Sequence, residues 1–277
     1  MSGDFLEEMA RGSRARVQLA QRQRSAAQLE QALRGLPPAP QLKRHAQGFD
    51  LIAELKLRSP AQGQLRGRDE DVAARVTAYA QAGAAAVSVL TEPTRFDGSL
   101  EHLGQAARAL APLNVPAMRK DFLVDPYQVL EARLAGAGGV LVILRLLPRA
   151  DTEALLQAAA ACGLFVLLEA FDEGDLELMA ELVGAYSRRL QLLAGLNCRD
   201  LATLKVVPGR LLELAARLPR AVPRVAESGV AGPAEARALA QAGYELALVG
   251  SALMVGRDPQ ALASELLAAG RGARRGA

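Results

Sequence analysis

The sequence predicts an α/β protein of the (β/α)8 TIM-barrel class with an N-terminal helical extension. Eight short apolar runs begin on average about 28 residues apart, and stretches with helical periodicity separate them. The runs are continuously apolar, which is typical of parallel strands covered by helices on the outside. Glycines recur just before several runs, where a residue in the left-handed conformation closes the preceding helix.

The eight apolar runs are the predicted strands of the barrel. In chain order they cover residues 51–55, 85–90, 115–119, 139–144, 164–169, 190–196, 222–227 and 245–250. An open doubly wound sheet is the alternative, but no run is followed by the G-x-G-x-x-G fingerprint of that class. We therefore predict one (β/α)8 barrel domain over residues 47–268.

Two segments lie outside the predicted barrel. Residues 1–46 are rich in helix formers from Phe5 to Leu33 and then contain a cluster of prolines. This composition predicts one or two extra helices that pack on the barrel rather than a separate domain. Residues 269–277 are rich in arginine and glycine, and we predict a flexible tail there.

Composition excludes several classes of protein. With 51% hydrophobic residues the chain buries a large core, and a net charge of +3 with only 4% aromatic residues predicts no nucleic-acid partner. The longest apolar run, residues 134–144, contains three glycines and is too short for a membrane span. No apolar leader begins the chain, and two cysteines, Cys162 and Cys198, make no disulfide framework. We therefore expect a cytoplasmic protein without a membrane partner.

Polar residues interrupt the apolar pattern at the carboxyl ends of the predicted strands, where barrel enzymes carry their chemistry. The ionisable ones are Glu54, Lys56, Lys120, Glu169 and Glu227. In one barrel mouth, burial and mutual pairing would shift their pKa values toward proton transfer near neutral pH. The alternative is a salt-bridged polar plug without chemistry, but the recurrence of five ionisable residues at the ends of four strands favours a site.

Glycine and serine follow the last two predicted strands, as Ser228-Gly229 and Gly250-Ser251. Many barrels bind phosphate at this place through backbone N–H groups, so the two pairs favour a phosphorylated substrate over ordinary turns. His45 and His102 lie outside the predicted strand ends, and no Cys/His cluster has metal-ligand spacing. We therefore expect no metal site and no histidine-centred triad.

The motifs at these strand ends resemble an ordered series known from one enzyme family. IAELKLRSP, VPAMRKDFLVDPYQ, VLLEAFDE, GLNCRDL, VAESGV and LVGSALM resemble the motifs of indole-3-glycerol phosphate synthase, the decarboxylating ring-closure enzyme of tryptophan biosynthesis. The resemblance runs from about residue 5 to residue 268. It implies conversion of 1-(2-carboxyphenylamino)-1-deoxyribulose 5-phosphate into indole-3-glycerol phosphate, carbon dioxide and water, with no metal or organic cofactor.

The resemblance also implies catalytic roles. It assigns them to Lys120, Glu169, Lys56, Glu54, Asn197 and Glu227. Lys120 would protonate the substrate carbonyl during ring closure, and Glu169 would act as acid/base partner during loss of water. Lys56, paired with Glu54, would hold the substrate carboxylate or assist dehydration, and the sequence does not separate these roles. Asn197 and Glu227 would bind the sugar hydroxyls and position the intermediate.

Further positions are implied to bind substrate. Arg199 would support the electrostatics of the site, Ser228 would line the pocket, and Phe122 with Leu123 would press on the anthranilate ring. The implied phosphate-binding residues are Ser59, Gly229, Gly250 and Ser251. We expect a small phosphosugar substrate, a monomer or weak homo-oligomer, and association with other enzymes of the tryptophan pathway as a further option.

The sequence departs from the family pattern in the loop after the first strand. The family usually has Ser-Lys-Gly after Ser-Pro, but this chain has Ala61-Gln62-Gly63, so one cation is missing. A paralogue in a specialised pathway therefore stays open. So do phosphoribosylanthranilate isomerase, a Schiff-base aldolase using Lys120, and a barrel retained only for binding.

Overall fold

A closed barrel of eight parallel strands forms the centre of the computed structural model, which describes residues 2–46, 48–67, 69–200 and 203–275. The strands are β1 Asp50–Leu55, β2 Arg58–Ser59, β3 Gly63–Gln64, β4 Ala86–Leu90, β5 Ala117–Lys120, β6 Gly139–Ile143, β7 Phe165–Ala170, β8 Leu192–Asn197, β9 Arg224–Glu227 and β10 Leu246–Val249. The barrel order is β1-β10-β9-β8-β7-β6-β5-β4, and β2 pairs with β3 as a separate hairpin. The predicted (β/α)8 barrel is confirmed, and the open doubly wound sheet is excluded.

The first strand closes the barrel because it pairs on both of its edges. Ile52 is opposite Ala86 on β4 and Leu248 on β10. The predicted runs match the barrel strands to within two residues at either end. Two strands begin directly after Pro116 and Pro223, because proline lacks the N–H group that a strand pairing requires.

Helices cover the outside of the barrel and the mouth. They are α1 Ser2–Gln23, α2 Ala26–Leu33, α3 Val72–Gln81, α4 Pro93–Phe96, α5 Leu100–Leu110, α6 Pro126–Leu134, α7 Arg149–Cys162, α8 Glu173–Tyr186, α9 Arg210–Glu213, α10 Pro233–Gln241, α11 Ser251–Val255 and α12 Pro259–Arg275. N-cap residues mark the start of several of these helices. Asp71, Asp125 and Asp172 each accept a backbone N–H, at the start of α3, α6 and α8 respectively. None of the helices within the described residues has the length and apolar character needed to cross a membrane.

Alternate residues of each barrel strand face two different hydrophobic layers. On β7, Phe165 and Leu167 pack inside the barrel, whereas Val166 and Leu168 pack against the helices. Side chains alternate along a strand, so the next inward position after Leu167 is Glu169. The inward-facing series is thus apolar at the bottom of the barrel and polar at its carboxyl end.

The N-terminal extension forms two helices, α1 and α2, that dock on the barrel. They are separate because Ser25 caps α2 together with Gln28 in a capping box. From α1, the buried Ser13 hydroxyl donates to the Phe122 carbonyl at 2.6 Å, and Arg16 forms an ion pair with Asp121 at 2.7 Å. The boundary between residues 46 and 47 remains a prediction.

The C-terminal segment differs from the expected flexible tail over residues 269–277. Helix α12 continues to Arg275, and the last two residues lie outside the described residues. Arg271 donates to the Phe49 carbonyl at 3.0 Å and to buried Asp50 at 3.2 Å. Arg274 donates to two more backbone carbonyls near the start of β10. These arginines bind the helix to the amino end of the barrel, and composition alone does not show such long-range partners.

Candidate active site

A cavity of about 590 Å³ opens at the carboxyl ends of the barrel strands. It is lined by all the residues that the sequence singled out as catalytic, substrate-binding or phosphate-binding, except Leu123. These are Glu54, Lys56, Ser59, Lys120, Phe122, Glu169, Asn197, Arg199, Glu227, Ser228, Gly229, Gly250 and Ser251. The barrel therefore brings together side chains that are up to about 200 residues apart in the chain.

Lys120 lies between two carboxylates inside this cavity. Its Nζ is 3.3 Å from Glu169 Oε1 and 3.2 Å from Glu227 Oε2. The Lys120 side chain is 15% exposed and the two carboxylates are buried. Asn197 donates to the same Glu169 oxygen at 2.8 Å, whereas the buried Glu227 Oε1 has no hydrogen-bond partner among the described residues. That oxygen is buried and packed against Gly195 of β8.

For both Lys120 and Glu227, burial and the neighbouring opposite charge shift the pKa in opposite directions. Burial would lower the pKa of the Lys120 ammonium, but Glu169, Glu227 and Glu54 outweigh it and hold the pKa above its ordinary value. Burial raises the pKa of the Glu227 carboxyl well above its ordinary value, and Glu169 adds to the rise against the opposing effect of Lys120. The lysine is therefore protonated at neutral pH, and Glu227 takes up a proton at a higher pH than an ordinary glutamate does.

A second ion pair lies at the end of β1. Lys56 Nζ is 2.7 Å from Glu54 Oε1. Burial would raise the pKa of Glu54, but Lys56, Lys120 and Arg199 outweigh it and hold the pKa below its ordinary value. Gly250 makes room for this carboxylate, because a Cβ there would lie 2.2 Å from Glu54 Oε1. The glycine is thus required by packing as well as by its expected place in the phosphate site.

Asn197 and Arg199 are fixed by the turn that follows β8. The Arg199 backbone N–H donates to Asn197 Oδ1 at 2.9 Å, and its guanidinium donates to the Leu204 carbonyl at 2.7 Å. Between them, buried Cys198 packs under Gly229, where a Cβ would lie 3.1 Å from Sγ. Burial raises the pKa of the Cys198 thiol, so the thiol stays neutral and packs as a small apolar side chain.

The residues expected to bind phosphate lie on three loops at one end of the cavity. Ser59 is buried, and its hydroxyl accepts the Ala61 N–H at 3.3 Å. Ser228 and Gly229 follow β9 with φ values of +68° and +73°. A left-handed serine is uncommon, so the turn after β9 holds an unusual backbone conformation beside the cavity. Strain of this kind clusters at binding sites.

Aromatic side chains form another wall of the cavity. The Phe122 ring lies 5.9 Å from Phe5 on α1 and 6.1 Å from Phe96, measured between centroids. Leu123, which was expected to press on the substrate with Phe122, instead packs between the barrel and the helices because its neighbour takes the inward position. Sequence reasoning missed Phe171, although it lies two residues after Glu169 and therefore shares its face.

A buried polar network behind Lys120 was also missed. Arg119 donates to Thr91 and Asp121 at 3.1 and 3.2 Å, and Asp121 accepts from Arg16 of α1. The sequence did contain a signal for this network, because Arg119 and Asp121 flank Lys120 and alternation places them on the opposite face of the strand. Within the described residues, no three His, Cys, Asp or Glu side chains come together as a metal ion would need. The expected absence of a metal remains a prediction.

Comparison with known proteins identifies the family. The family model described as indole-3-glycerol phosphate synthase matches residues 6–266. A protein of that name from Parafrankia sp. is 41% identical over 267 residues, which cover 96% of both chains. Indole-3-glycerol phosphate synthase 1 from Streptomyces coelicolor is 40% identical over 223 residues, which cover 80% of this chain and 79% of that protein.

A solved structure shows the same fold at much lower identity. 3-Hexulose-6-phosphate synthase from Salmonella typhimurium superimposes with a TM-score of 0.61 at 15% identity, covering 81% of this chain and 99% of that chain. This likeness shows the barrel fold alone. The family model and the Parafrankia relative, in contrast, cover the barrel and most of the N-terminal extension. The chain therefore belongs to the indole-3-glycerol phosphate synthase family.

Proposed function

We propose that this chain closes the indole ring of 1-(2-carboxyphenylamino)-1-deoxyribulose 5-phosphate as an indole-3-glycerol phosphate synthase, a carboxy-lyase of tryptophan biosynthesis. The observation that carries the proposal is Lys120, a protonated lysine held by Glu169 and Glu227 in the cavity. An aromatic wall and a set of glycine and serine turns flank this lysine, as a phosphorylated aromatic substrate requires.

Lys120 acts as general acid in ring closure. The aromatic carbon that bears the carboxylate attacks the sugar carbonyl, and the ammonium donates its proton to the carbonyl oxygen as the new carbon–carbon bond forms. Because the lysine is buried, its charge also stabilises negative charge that develops on this oxygen. Loss of carbon dioxide from the cationic ring-closed intermediate then restores the aromatic ring, so no external electron sink is needed.

Glu169 and Glu227 take part after ring closure. Glu169 is the acid/base partner in the loss of water that forms the last ring double bond, and Asn197 keeps it oriented through the 2.8 Å hydrogen bond. Glu227 binds a sugar hydroxyl and positions the intermediate; its place in the cavity lining beside Lys120 supports this role.

The remaining charged residues hold the two ends of the substrate. Lys56, oriented by Glu54, binds the substrate carboxylate or assists dehydration, and Arg199 adds positive charge at the same wall. Phe122 packs on the anthranilate ring. The phosphate binds at the opposite end through the residues Ser59, Gly229, Gly250 and Ser251, and Ser228 lines the pocket beside them.

The proposal extends to the setting of the enzyme. The absence of a disulfide framework supports a cytoplasmic protein, since both cysteines are free. We expect a small phosphosugar as the ligand, a monomer or weak homo-oligomer, and neither nucleic acid nor membrane as a partner. Equilibrium sedimentation of the purified chain measures the oligomeric state, and co-purification with other enzymes of tryptophan biosynthesis tests association.

Turnover of the purified protein tests the activity. Fluorescence should report formation of indole-3-glycerol phosphate from the anthranilate-derived ribulose phosphate, at an unchanged rate after treatment with a chelator. Borohydride should not trap a covalent adduct, as it would for a Schiff-base aldolase at Lys120. Rearrangement of phosphoribosylanthranilate without ring closure would identify the isomerase instead and contradict the proposal.

A further inference from the structure

We propose that Arg66 is a positioning residue that locks the loop after β1 to helix α11, so that two sides of the phosphate end of the cavity act as one rigid unit. This inference rests on the proposed phosphate site, to which the loop contributes Ser59 and α11 contributes Ser251. Arg66 does not line the cavity and acts only through these elements.

The loop after β1 is a closed hairpin, so Arg66 moves together with Ser59. Ser59 on β2 pairs with Gly63 on β3. The N–H groups of Leu65 and Arg66 then both donate to the Leu57 carbonyl, at 2.8 and 3.1 Å. These bonds join the outgoing arm of the hairpin to its incoming arm. A shift of the Arg66 backbone therefore carries Ser59 with it.

The Arg66 side chain binds the carboxyl-terminal end of α11. Its Nε donates to the Met254 carbonyl at 2.6 Å, and its Nη2 donates to the Gly256 carbonyl at 3.2 Å. Carbonyls at a helix end lack partners within the helix and carry partial negative charge, so a cation there is doubly favourable. The planar guanidinium reaches both acceptors at once, which an ammonium group does not do as well.

The clamp bridges two elements that are far apart in the chain. Its two bonds span 188 and 190 residues and join the unit after the first barrel strand to the unit after the last. On its other side, α11 is held by the Tyr79 hydroxyl, which lies 3.3 Å from Met254 Sδ. Tyr79 belongs to α3, so its contact joins α11 to α3, whereas the two Arg66 bonds join α11 to the hairpin.

This geometry predicts a loss of phosphate affinity without a loss of chemistry when Arg66 is changed. Lys120 and Glu169 lie on β5 and β7, away from both clamped elements, and Lys56, next to the hairpin, is held separately by Glu54 at 2.7 Å. Released from each other, the hairpin and α11 no longer present Ser59 and Ser251 at a preset distance. We expect a higher KM with kcat nearly unchanged, because the lost interaction stabilises the bound substrate and the transition state equally.

The test compares R66M and R66K with the matched control R257M, which removes the exposed arginine beside Gly256. We expect R66M to raise both KM for the phosphorylated substrate and the inhibition constant of inorganic phosphate by about tenfold, since one to two charge-assisted bonds are lost. The value of kcat should stay within about twofold. R66K should give a smaller rise, and R257M should leave both constants unchanged.

A double-mutant cycle separates this inference from the proposed phosphate site. If S251A fails to weaken phosphate inhibition, the phosphate assignment of Ser251 fails. If S251A weakens inhibition but R66M does not, only the clamp fails. A clamp that acts through α11 predicts that the effects of R66M and S251A are not additive. Additive effects of R66M and S251A on phosphate inhibition would overturn the positioning role of Arg66. An R66M enzyme with a lower Tm and an unchanged KM would overturn it as well. If R66M folds poorly, R66K is measured in its place.

Discussion

Removal of the Lys120 ammonium tests both the stability and the chemistry of the site. In K120M, Glu169 and Glu227 remain buried and face each other without the cation that lies 3.2–3.3 Å away in the native protein. Breaking a buried ion pair by removing one partner costs about 3–5 kcal/mol. For a chain of this size that corresponds to a drop in Tm of roughly 6–20 °C, measured by thermal denaturation.

The activity should fall much further than the stability alone explains. A positioned general acid contributes about 10²–10⁴-fold and electrostatic stabilisation of the developing charge about 10²–10³-fold, and the two overlap. We expect kcat/KM of K120M, followed by product fluorescence, to fall by about 10⁴-fold or more. K120R keeps the cation but not a transferable proton, so its Tm should stay near the native value while activity falls by at least about 10²-fold.

A double variant separates charge balance from catalysis. K120M/E227Q leaves one buried carboxylate instead of two, so part of the lost Tm should return while activity stays at the K120M level. If either K120M or K120R turns over within tenfold of the native enzyme, Lys120 is not the general acid. If Tm is unchanged in K120M, the two carboxylates do not depend on this lysine for their burial.

The remaining predictions concern close packing, pH and the C-terminal helix. G195A places a Cβ 2.3 Å from Glu227 Oε1, so it should lower the free energy of unfolding by about 1–3 kcal/mol and reduce kcat. The control G184A places its Cβ in open space on helix α8, so it should stabilise the protein by up to about 1 kcal/mol and leave kcat unchanged. Thermal denaturation measures both changes in stability. Because burial raises the pKa of Glu227, its ionised form is lost as pH falls through that raised pKa, and the acid limb of kcat/KM should lie above the ordinary value of about 4.3. An acid limb that is unchanged in E227Q would contradict this assignment. R271A leaves buried Asp50 without its ion pair, so urea unfolding should show a loss of about 1–3 kcal/mol with kcat unchanged, and a fall in kcat would refute a purely structural role.

Much of the fold and of the site was predictable because the deciding signals are local. Continuous apolar runs and turn glycines predicted all eight barrel strands. Glu54 and Lys56 are two residues apart, so strand alternation alone placed them on one face, and they form an ion pair at 2.7 Å. Once the strands are parallel and closed, their carboxyl ends must meet at one mouth, which brings Lys120 to Glu169 and Glu227.

The missed features depend on contacts between distant segments. The β2–β3 hairpin has only two short arms and no alternating pattern to predict it. The ion pair of Arg16 with Asp121 joins positions 105 residues apart, and nothing near either residue specifies its partner. The same reason explains the C-terminal helix, where Arg271 and Arg274 find acceptors on the barrel more than 30 residues away.

The sequence by itself determined where the eight barrel strands lie and which family the motifs resemble, because apolar runs, glycine turns and motif order are properties of neighbouring residues. Only the tertiary structure decided how the charges are shared: Lys120 binds two carboxylates rather than one, Glu227 packs one oxygen against Gly195, and Gly250 makes room for Glu54. Those outcomes depend on distances of a few ångströms between strands, which barrel closure sets and local sequence does not encode.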